Sequence, residues 1–271
     1  MKRKPAVAGY FYPGDTFTLK SFLEELVEES EEKKAALGIV APHAGYMYSG
    51  KVAGKVYGII EPPDVAIILG TNHTGLGEKA SLFDGESFLT PLGEAKVNQN
   101  LKDLILEKCY LVKEDSYAHI REHSIEVQVP FLQYINPQIE IVPLALMDLD
   151  LEEIYVLGRS LAEALEEFLS SEERKVLIIA SSDFSHYEPH SIAQRKDALA
   201  IEEILKLSEE GLLRVVYENR ISMCGVLPVC TMLVAVKELG ASRAELVDYK
   251  TSGDITGDYS AVVGYAGIII Y

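Results

Sequence analysis

The feature that most constrains the fold is an alternation of short apolar runs with longer amphipathic stretches along the 271 residues. Glycine, proline and polar residues bound the apolar runs, as is typical of buried strands. Strands that alternate with helical segments favour parallel pairing. We therefore expect one mixed, mostly parallel sheet, with strands at Leu37–Ala41, Val65–Leu69, Ile139–Leu146, Val176–Ala180, Ala244–Tyr249 and Ala261–Ile270.

Between these strands, helical periodicity predicts eight helices. They are Thr18–Ser30, Gly50–Ile60, Val97–Cys109, Ser124–Ile135, Leu151–Ser170, Ser191–Ser208, Leu212–Glu218 and Val226–Leu239, the last followed by Gly240 as its terminating glycine. A β-hairpin centred on Asp84-Gly85 is predicted over Ser81–Leu92. Helices on both faces of the sheet predict an α/β protein, a three-layer α/β/α sandwich. No linker or repeat divides the chain, so residues 1–271 are expected to form a single domain.

The charge of the chain excludes several classes of partner. Its 25 Lys+Arg and 42 Asp+Glu give a formal charge of −17 at pH 7, whereas nucleic-acid binding requires a basic surface. The longest apolar stretch, Ser260 to Tyr271, is shorter than the ~20 residues of a membrane-spanning helix. We expect neither a nucleic acid nor a membrane as a partner. Three cysteines without a CxxC pair, and no apolar leader, favour reduced thiols in a cytoplasmic protein.

Three of the six histidines follow predicted strands by two to six residues. His43 follows the first strand, His73 the second and His186 the fourth. The carboxyl ends of parallel strands share one edge of a sheet, where open α/β folds place their ligand sites. We therefore expect these imidazoles to converge.

A fourth histidine, His123, precedes Ser124, which resembles the N-cap of the next helix. His123 could face a pocket from there. Glu122 lies directly beside His123, so the segment that begins at His119 is not the HExxH motif of zinc proteases. His119 and His190 are expected at the surface.

Cys224 is the one cysteine that we interpret as functional. It lies in a polar segment just before an apolar helix, where the helix dipole is expected to lower the pKa of the thiol. Cys109 and Cys230 fall within predicted helices and are expected to be buried apolar residues. Asp183, which lies close to His186 in sequence, is expected to orient an imidazole or to accept N–H groups of its loop.

Six segments in this order resemble the Memo family, whose fold is similar to that of the class III extradiol dioxygenases, the LigB-like non-haem iron enzymes. The segments are Val7–Pro13, Ala41–Tyr46, Leu69–His73, Glu122–Gln128, Ser181–Tyr187 and Gly257–Ser260. They extend over nearly the whole chain. The resemblance implies a three-layer α/β/α fold with a metal-capable pocket at the strand ends.

The resemblance also implies the roles of individual residues. His43 and His73 match the two histidine ligands and Cys224 matches the third ligand, where the dioxygenases have a carboxylate. His186 and His123 match acid/base histidines, with Asp183 beside them. Two imidazoles and a thiolate suit Fe²⁺, Cu or Zn²⁺.

These features predict a metal-binding LigB-like protein, with oxygen-dependent or redox chemistry on a small aromatic substrate as the expected activity. Two alternatives stay open. One is a non-catalytic module that binds a peptide in the same pocket, for which the resemblance implies Phe11, His43 and Tyr48 as ligand-binding residues. The other is a zinc-dependent hydrolase. The sequence does not assign an oligomeric state.

Overall fold

The computed structural model describes every residue from Met1 to Tyr271 and contains one sheet of twelve strands. The strands are β1 (Lys2–Arg3), β2 (Gly38–Ala41), β3 (Val65–Thr71), β4 (Ala80–Leu82), β5 (Ser87–Thr90), β6 (Gly93–Val97), β7 (Val112–Glu114), β8 (Glu140–Leu146), β9 (Val176–Ser181), β10 (His186–Glu188), β11 (Ala244–Thr251) and β12 (Val262–Ile270).

Ten α-helices and one 3-10 turn, Glu126–Gln128, connect these strands. The helices are α1 (Thr16–Leu26), α2 (Tyr46–Ile59), α3 (Gln99–Lys108), α4 (Tyr117–Ile120), α5 (Val129–Ile135), α6 (Leu151–Ser171), α7 (His190–Leu205), α8 (Glu209–Glu218), α9 (Val226–Glu238) and α10 (Gly253–Thr256). None of these helices combines the length and the apolar character that crossing a membrane requires.

The centre of the sheet is parallel, in the order β6-β8-β3-β9-β2. On one side β12 runs antiparallel to β2, and β10 and β11 both pair with β12. On the other side β5 pairs with β6 in an antiparallel hairpin, and β1 adds to β5. The predicted mixed, mostly parallel sheet is confirmed.

Alternate residues of the central strands enter two different cores, one on each face of the sheet. Val65, Ile67 and Leu69 of β3 pack with residues of α3, α6, α7, α8 and α9. Ala66 and Ile68 of the same strand pack with residues of α1, α2 and α5. A strand that is covered on both faces reads as a continuous apolar run, which is why the sequence pattern revealed it. The predicted α/β/α sandwich is confirmed.

The hairpin predicted over Ser81–Leu92 is wrong, because β4 pairs with β7 and β8 and the true hairpin joins β5 to β6. The turn glycine of that hairpin is Gly93, with a φ of 125°. Gly85 serves close packing instead: a Cβ there would lie 2.3 Å from Cζ of Phe83. Asp84-Gly85 is typical of a turn in sequence, but Gly85 leaves room for the ring of Phe83 instead.

Local capping signals were correct at one helix and wrong at another. Gly240 follows α9 with a φ of 94°, as predicted. Ser124 is not an N-cap, because its hydroxyl donates to the carbonyl of Thr71 at 2.8 Å and the 3-10 turn separates it from α5. The hydroxyl therefore ties the segment before α5 to the end of β3.

Candidate metal centre

Three histidines meet at the carboxyl edge of the sheet. His43 follows β2, His73 follows β3, and His123 lies just before the 3-10 turn. Each ring offers a nitrogen, and these nitrogens all lie within 4.8 Å of one another. The ring centroids are 5.2 Å apart for His43 and His73, and 4.7 Å apart for His73 and His123. Imidazole nitrogens are common metal ligands, so this cluster could hold a metal ion.

A carboxylate fixes the orientation of His73. Glu122 Oε1 lies 2.9 Å from Nδ1 of His73, and Oε2 accepts the backbone N–H of His73 at 2.6 Å. Because an ionised carboxylate only accepts hydrogen bonds, Nδ1 of His73 carries the proton. This assignment leaves Nε2 of His73 with a free lone pair, the form in which a histidine binds a metal.

Glu122 also holds the neighbouring loop. Its Oε1 accepts the backbone N–H groups of His123 and Ser124, each at 2.8 Å. Burial by itself would raise the pKa of Glu122, but the hydrogen bonds from His73 and from the backbone of Ser124 outweigh burial and hold the pKa at about 2. The site therefore contains one fixed negative charge at neutral pH.

Ser181, at the end of β9, sets the tautomer of His43. The Ser181 hydroxyl donates its only hydrogen to the carbonyl of Ser124 at 2.6 Å. It must therefore accept from Nδ1 of His43, 3.0 Å away, and from Nε2 of Gln128 at 2.8 Å. Nε2 of His43 is left free. Burial, followed by the charge of His73, lowers the pKa of His43 to about 3, so the ring is neutral at pH 7.

Cys224 lies against this free nitrogen, with Sγ 3.2 Å from Nε2 of His43. Sγ also accepts the backbone N–H of Asp183 at 3.3 Å. Burial, followed by the charge of Asp183, raises the pKa of the thiol above its usual value. The expected lowering by the helix dipole is therefore wrong for the metal-free protein, because the thiol packs against His43 and Asp183 although the residue as a whole is only half-buried. Cys109 and Cys230 are buried, as expected.

The structure thus places two further donors beside His43 and His73. His123 completes the cluster of three imidazoles, and Cys224 contacts Nε2 of His43. The assignment of Cys224 as third ligand and of His123 as an acid/base residue stays a prediction.

Asp183 holds the loop that carries His43. Its Oδ1 accepts the backbone N–H of His43 at 2.8 Å, a contact of the kind expected from the sequence. The side chain is buried, and burial raises the pKa of this carboxyl.

His186, at the start of β10, is fixed by Ser222. The carbonyl of Ser222 lies 2.8 Å from Nδ1 of His186, and the Ser222 hydroxyl accepts the His186 backbone N–H at 2.7 Å. Since a carbonyl only accepts, Nδ1 carries the proton and Nε2 is free to take another. His186 is near enough to the cluster for its charge to lower the pKa of His43.

The two predicted ligand-binding aromatic residues have different surroundings. The ring of Phe11 packs against His123, with a centroid distance of 4.9 Å and an angle of 61° between the planes. Tyr48 lies half-buried in the first turn of α2. Phe11 is therefore part of the wall of the histidine cluster.

The surface position expected for His119 is wrong, since only 1% of the residue is exposed. Its ring packs near those of Phe83 and Phe88, and Nε2 contacts the carbonyl of Ser81 at 2.8 Å. His190 is half-buried, with Nδ1 3.0 Å from the Thr251 hydroxyl.

Sequence reasoning missed the two residues that orient the imidazoles, Glu122 and Ser181. A signal for Glu122 exists in the sequence, where Glu122, Ser124, Glu126 and Gln128 alternate with His123, Ile125 and Val127; the structure buries all four of these alternating polar residues. Buried polar side chains need partners. Four of them within one short segment indicate a hydrogen-bonded network.

Comparisons with known proteins found relatives that match over the whole chain. A family model described as Memo-like protein matches residues 3–269. A MEMO1 family protein of Methanopyrus kandleri is 42% identical, and the alignment covers 99% of both chains. Similar proteins from Pyrobaculum aerophilum and Aquifex aeolicus are 43% and 42% identical, with coverage of 99% and 98% of each chain, respectively. The chain belongs to the Memo family.

Proposed function

We propose that this protein is a metal-dependent oxidoreductase whose His43, His73 and Cys224 hold Fe²⁺, Cu or Zn²⁺. The observation that carries the proposal is the shared tautomer of the two histidines. Glu122 and Ser181 occupy their Nδ1 atoms, so both rings keep Nε2 for a ligand. A hydrogen bond from the ring nitrogen that does not bind the metal is typical of metal-binding histidines.

The donor set fits a metal in charge as well as in type. His43 is neutral at pH 7, and Glu122 supplies a negative charge next to His73. The Cys224 thiol is neutral in the metal-free protein. A cation next to a thiol favours the thiolate, so metal binding should release a proton from Cys224.

When bound, Fe²⁺ or Cu would supply electron transfer to O₂ and Lewis-acid activation of an aromatic hydroxyl, whereas Zn²⁺ would supply only the activation. The protein supplies the proton transfer, which we assign to the free Nε2 of His186. Phe11 offers an apolar face beside His123 for a planar substrate. Asp183 keeps the His43 loop in place through its backbone N–H.

The two alternatives are supported less well. The Glu122 carboxylate is already occupied by four N–H groups, so a hydrolase would have to use His186 instead of this carboxylate as its general base. A peptide with a net negative charge would meet an unfavourable field from a chain of charge −17. A peptide-binding module also leaves the paired orientation of His43 and His73 without a use.

Metal binding is tested first, by titrating chelator-treated protein with Fe²⁺ under anaerobic conditions and with Zn²⁺ in air. We expect one equivalent in the wild type and loss of binding in His43→Ala, His73→Ala and Cys224→Ala. His190→Ala is the matched control, because that imidazole bonds to Thr251 and not to the cluster. Wild-type stoichiometry in Cys224→Ala would give the third position to His123.

Turnover is tested by oxygen uptake of the Fe²⁺-loaded protein with a panel of catechols. His186→Ala should keep the metal and lose the uptake. If His186→Ala loses the metal instead, His186 is a ligand and the role given to Cys224 is wrong. No metal binding by the wild type, together with peptide binding that survives Cys224→Ala, would favour the peptide-binding module.

A further inference from the structure

The N-terminal segment from Arg3 to Tyr12 lies against the loop that carries Glu122 and His123. We infer that Arg3 and Glu126 are positioning residues, which hold this loop in the geometry that binds the metal; the inference rests on the proposed metal site. Neither side chain touches an imidazole of the cluster. Both act through Glu122 and the backbone around it.

Arg3 binds the loop at several points. Its Nε donates to the carbonyl of His119 at 2.6 Å, and one terminal nitrogen donates to the carbonyl of Glu122 at 2.5 Å. The other terminal nitrogen donates to Glu126 at 2.7 Å. The guanidinium also lies 4.5 Å above the ring of Phe88, and only 3% of Arg3 is exposed. A planar group with fixed donors is suited to hold several acceptors at once.

Glu126 binds the N-terminal segment in return. Its Oε2 accepts from Arg3 and from the backbone N–H of Ala6 at 2.7 Å. Its Oε1 accepts the backbone N–H of Val7 at 3.0 Å and the hydroxyl of Tyr12 at 2.6 Å. With 1% of Glu126 exposed, this carboxylate is as enclosed as any apolar core residue.

The same segment reaches the other side of the cluster. The ring of Phe11 packs on His123, and the carbonyl of Phe11 accepts the backbone N–H of Tyr46 at 2.7 Å. Tyr46 begins α2, three residues after His43. The N-terminal segment therefore joins the loop of His123 to the loop of His43, which no strand pairing does directly.

The position of Glu122 explains why this support matters for a metal. Arg3 holds the backbone of Glu122, while the carboxylate of Glu122 orients His73 and binds the N–H of His123. A shift of the Glu122 backbone would move both histidines relative to His43. Loss of a residue that supports a metal ligand typically weakens affinity 10- to 100-fold.

The test compares Arg3→Met and Glu126→Gln with a variant that destabilises the fold from elsewhere. Leu161→Ala is the matched control, because Leu161 of α6 is fully buried in the core on the opposite face of the sheet. Arg3→Lys serves if Arg3→Met does not fold, since lysine keeps the charge but cannot reach both carbonyls and Glu126 together. The affinity of each variant for Co²⁺ and the visible absorption spectrum of the Co²⁺-loaded protein are measured at a temperature where every variant is folded.

We expect Co²⁺ affinity to fall about tenfold or more in Arg3→Met and Glu126→Gln, with an altered spectrum, and to stay at the wild-type value in Leu161→Ala. Wild-type affinity and spectrum in the Arg3 variant would overturn the inference. So would an equal loss of affinity in Leu161→Ala, because the effect would then follow general stability.

Failure of the proposed function gives a different result, namely no Co²⁺ binding by the wild type. In that case the rate of amide hydrogen exchange tests whether Arg3 holds the loop of His123 and Ser124 in place. Exchange of the His123 and Ser124 amides should accelerate more than tenfold in Arg3→Met and not in Leu161→Ala. Unchanged exchange in both variants would remove the positioning role as well.

Discussion

Two buried carboxylates support two loops of the site, and they have opposite kinds of partner. Glu126 supports the loop of His123 and pairs with the guanidinium of Arg3 at 2.7 Å. Asp197 of α7 supports the loop before His186 and has only neutral donors. Its Oδ1 accepts from the N–H of Ser185 at 3.0 Å and from the hydroxyl of Ser185 at 2.6 Å, and its Oδ2 accepts from the hydroxyl of Tyr249 at 2.8 Å.

This difference decides how each loop responds to a change of charge. Burial raises the pKa of Asp197, because the hydrogen bonds from Ser185 and Tyr249 and the charge of His186 compensate only in part for the loss of water. At Glu126, a neutral side chain would leave the Arg3 charge buried without a partner. Removing one member of a buried ion pair is far more costly than removing a charge that has only neutral partners. The Arg3 side of the site should therefore tolerate substitution poorly, and the Asp197 side should tolerate it well.

The largest effect is expected for Glu126→Gln. The amide cannot neutralise Arg3, and it presents an N–H₂ group to a position that four donors now approach. We expect the free energy of unfolding to fall by about 3–5 kcal/mol. Urea unfolding of the chelator-treated protein measures this value. A loss below about 1 kcal/mol would mean that the ion pair does not distinguish the two loops.

An effect of intermediate size is expected from pH, through His119 on the Arg3 side. Burial is the main cause that lowers the pKa of His119 to about 4, and the charge of Arg3 adds to it. Between pH 6.5 and 4 the unfolded chain binds a proton that the folded protein does not. The free energy of unfolding therefore decreases as the pH falls through this range, by roughly 2 kcal/mol between pH 7 and 5.

His119→Gln isolates this contribution. The amide can still donate to the Ser81 carbonyl, which Nε2 of His119 contacts in the wild type, but it does not titrate. Urea unfolding of both proteins at pH 7 and pH 5 gives the difference, in which the other titrating groups cancel. Parallel pH profiles for the two proteins would show that His119 is not kept neutral by its surroundings.

The fold and part of the site could be predicted from the sequence. The central strands were predicted because both faces are buried, so their composition alone reports their environment. His43 and His73 were found because each follows such a strand. The short strands β1, β7 and β10 were missed, since two or three residues carry no periodicity and their pairing depends on distant partners.

The partners of the buried polar residues could not be predicted for a related reason. Arg3 and Glu126 are 123 positions apart, and Arg3 stands in a basic terminal run that is typical of a solvent-exposed end. The elevated pKa of Cys224 depends on enclosure by Asp183 and His43, which come from two other loops. Local sequence gives the chemistry of a side chain, whereas its charge state follows from long-range packing.

The smallest effect is expected for Asp197→Asn. The amide oxygen can accept from Ser185 as Oδ1 does now, and the amide N–H₂ can donate to the hydroxyl oxygen of Tyr249, which would then act as acceptor. We expect the free energy of unfolding at pH 7 to change by less than about 1 kcal/mol. Asp197→Ala, which removes the acceptors, should lower the free energy of unfolding by about 1–3 kcal/mol.

The pH dependence of the free energy of unfolding should have the opposite sign to that caused by His119. Because the pKa of Asp197 is raised in the folded protein, the folded state takes up a proton before the unfolded chain does. Acidification therefore stabilises the wild type relative to Asp197→Asn, and the gain is complete below the ordinary pKa of 3.8. Urea unfolding of the three proteins at pH 7 and at a pH just below 3.8 tests both points. A loss of 3 kcal/mol or more in Asp197→Asn would mean that this carboxylate depends on its charge as Glu126 does, and the distinction between the two loops would be lost.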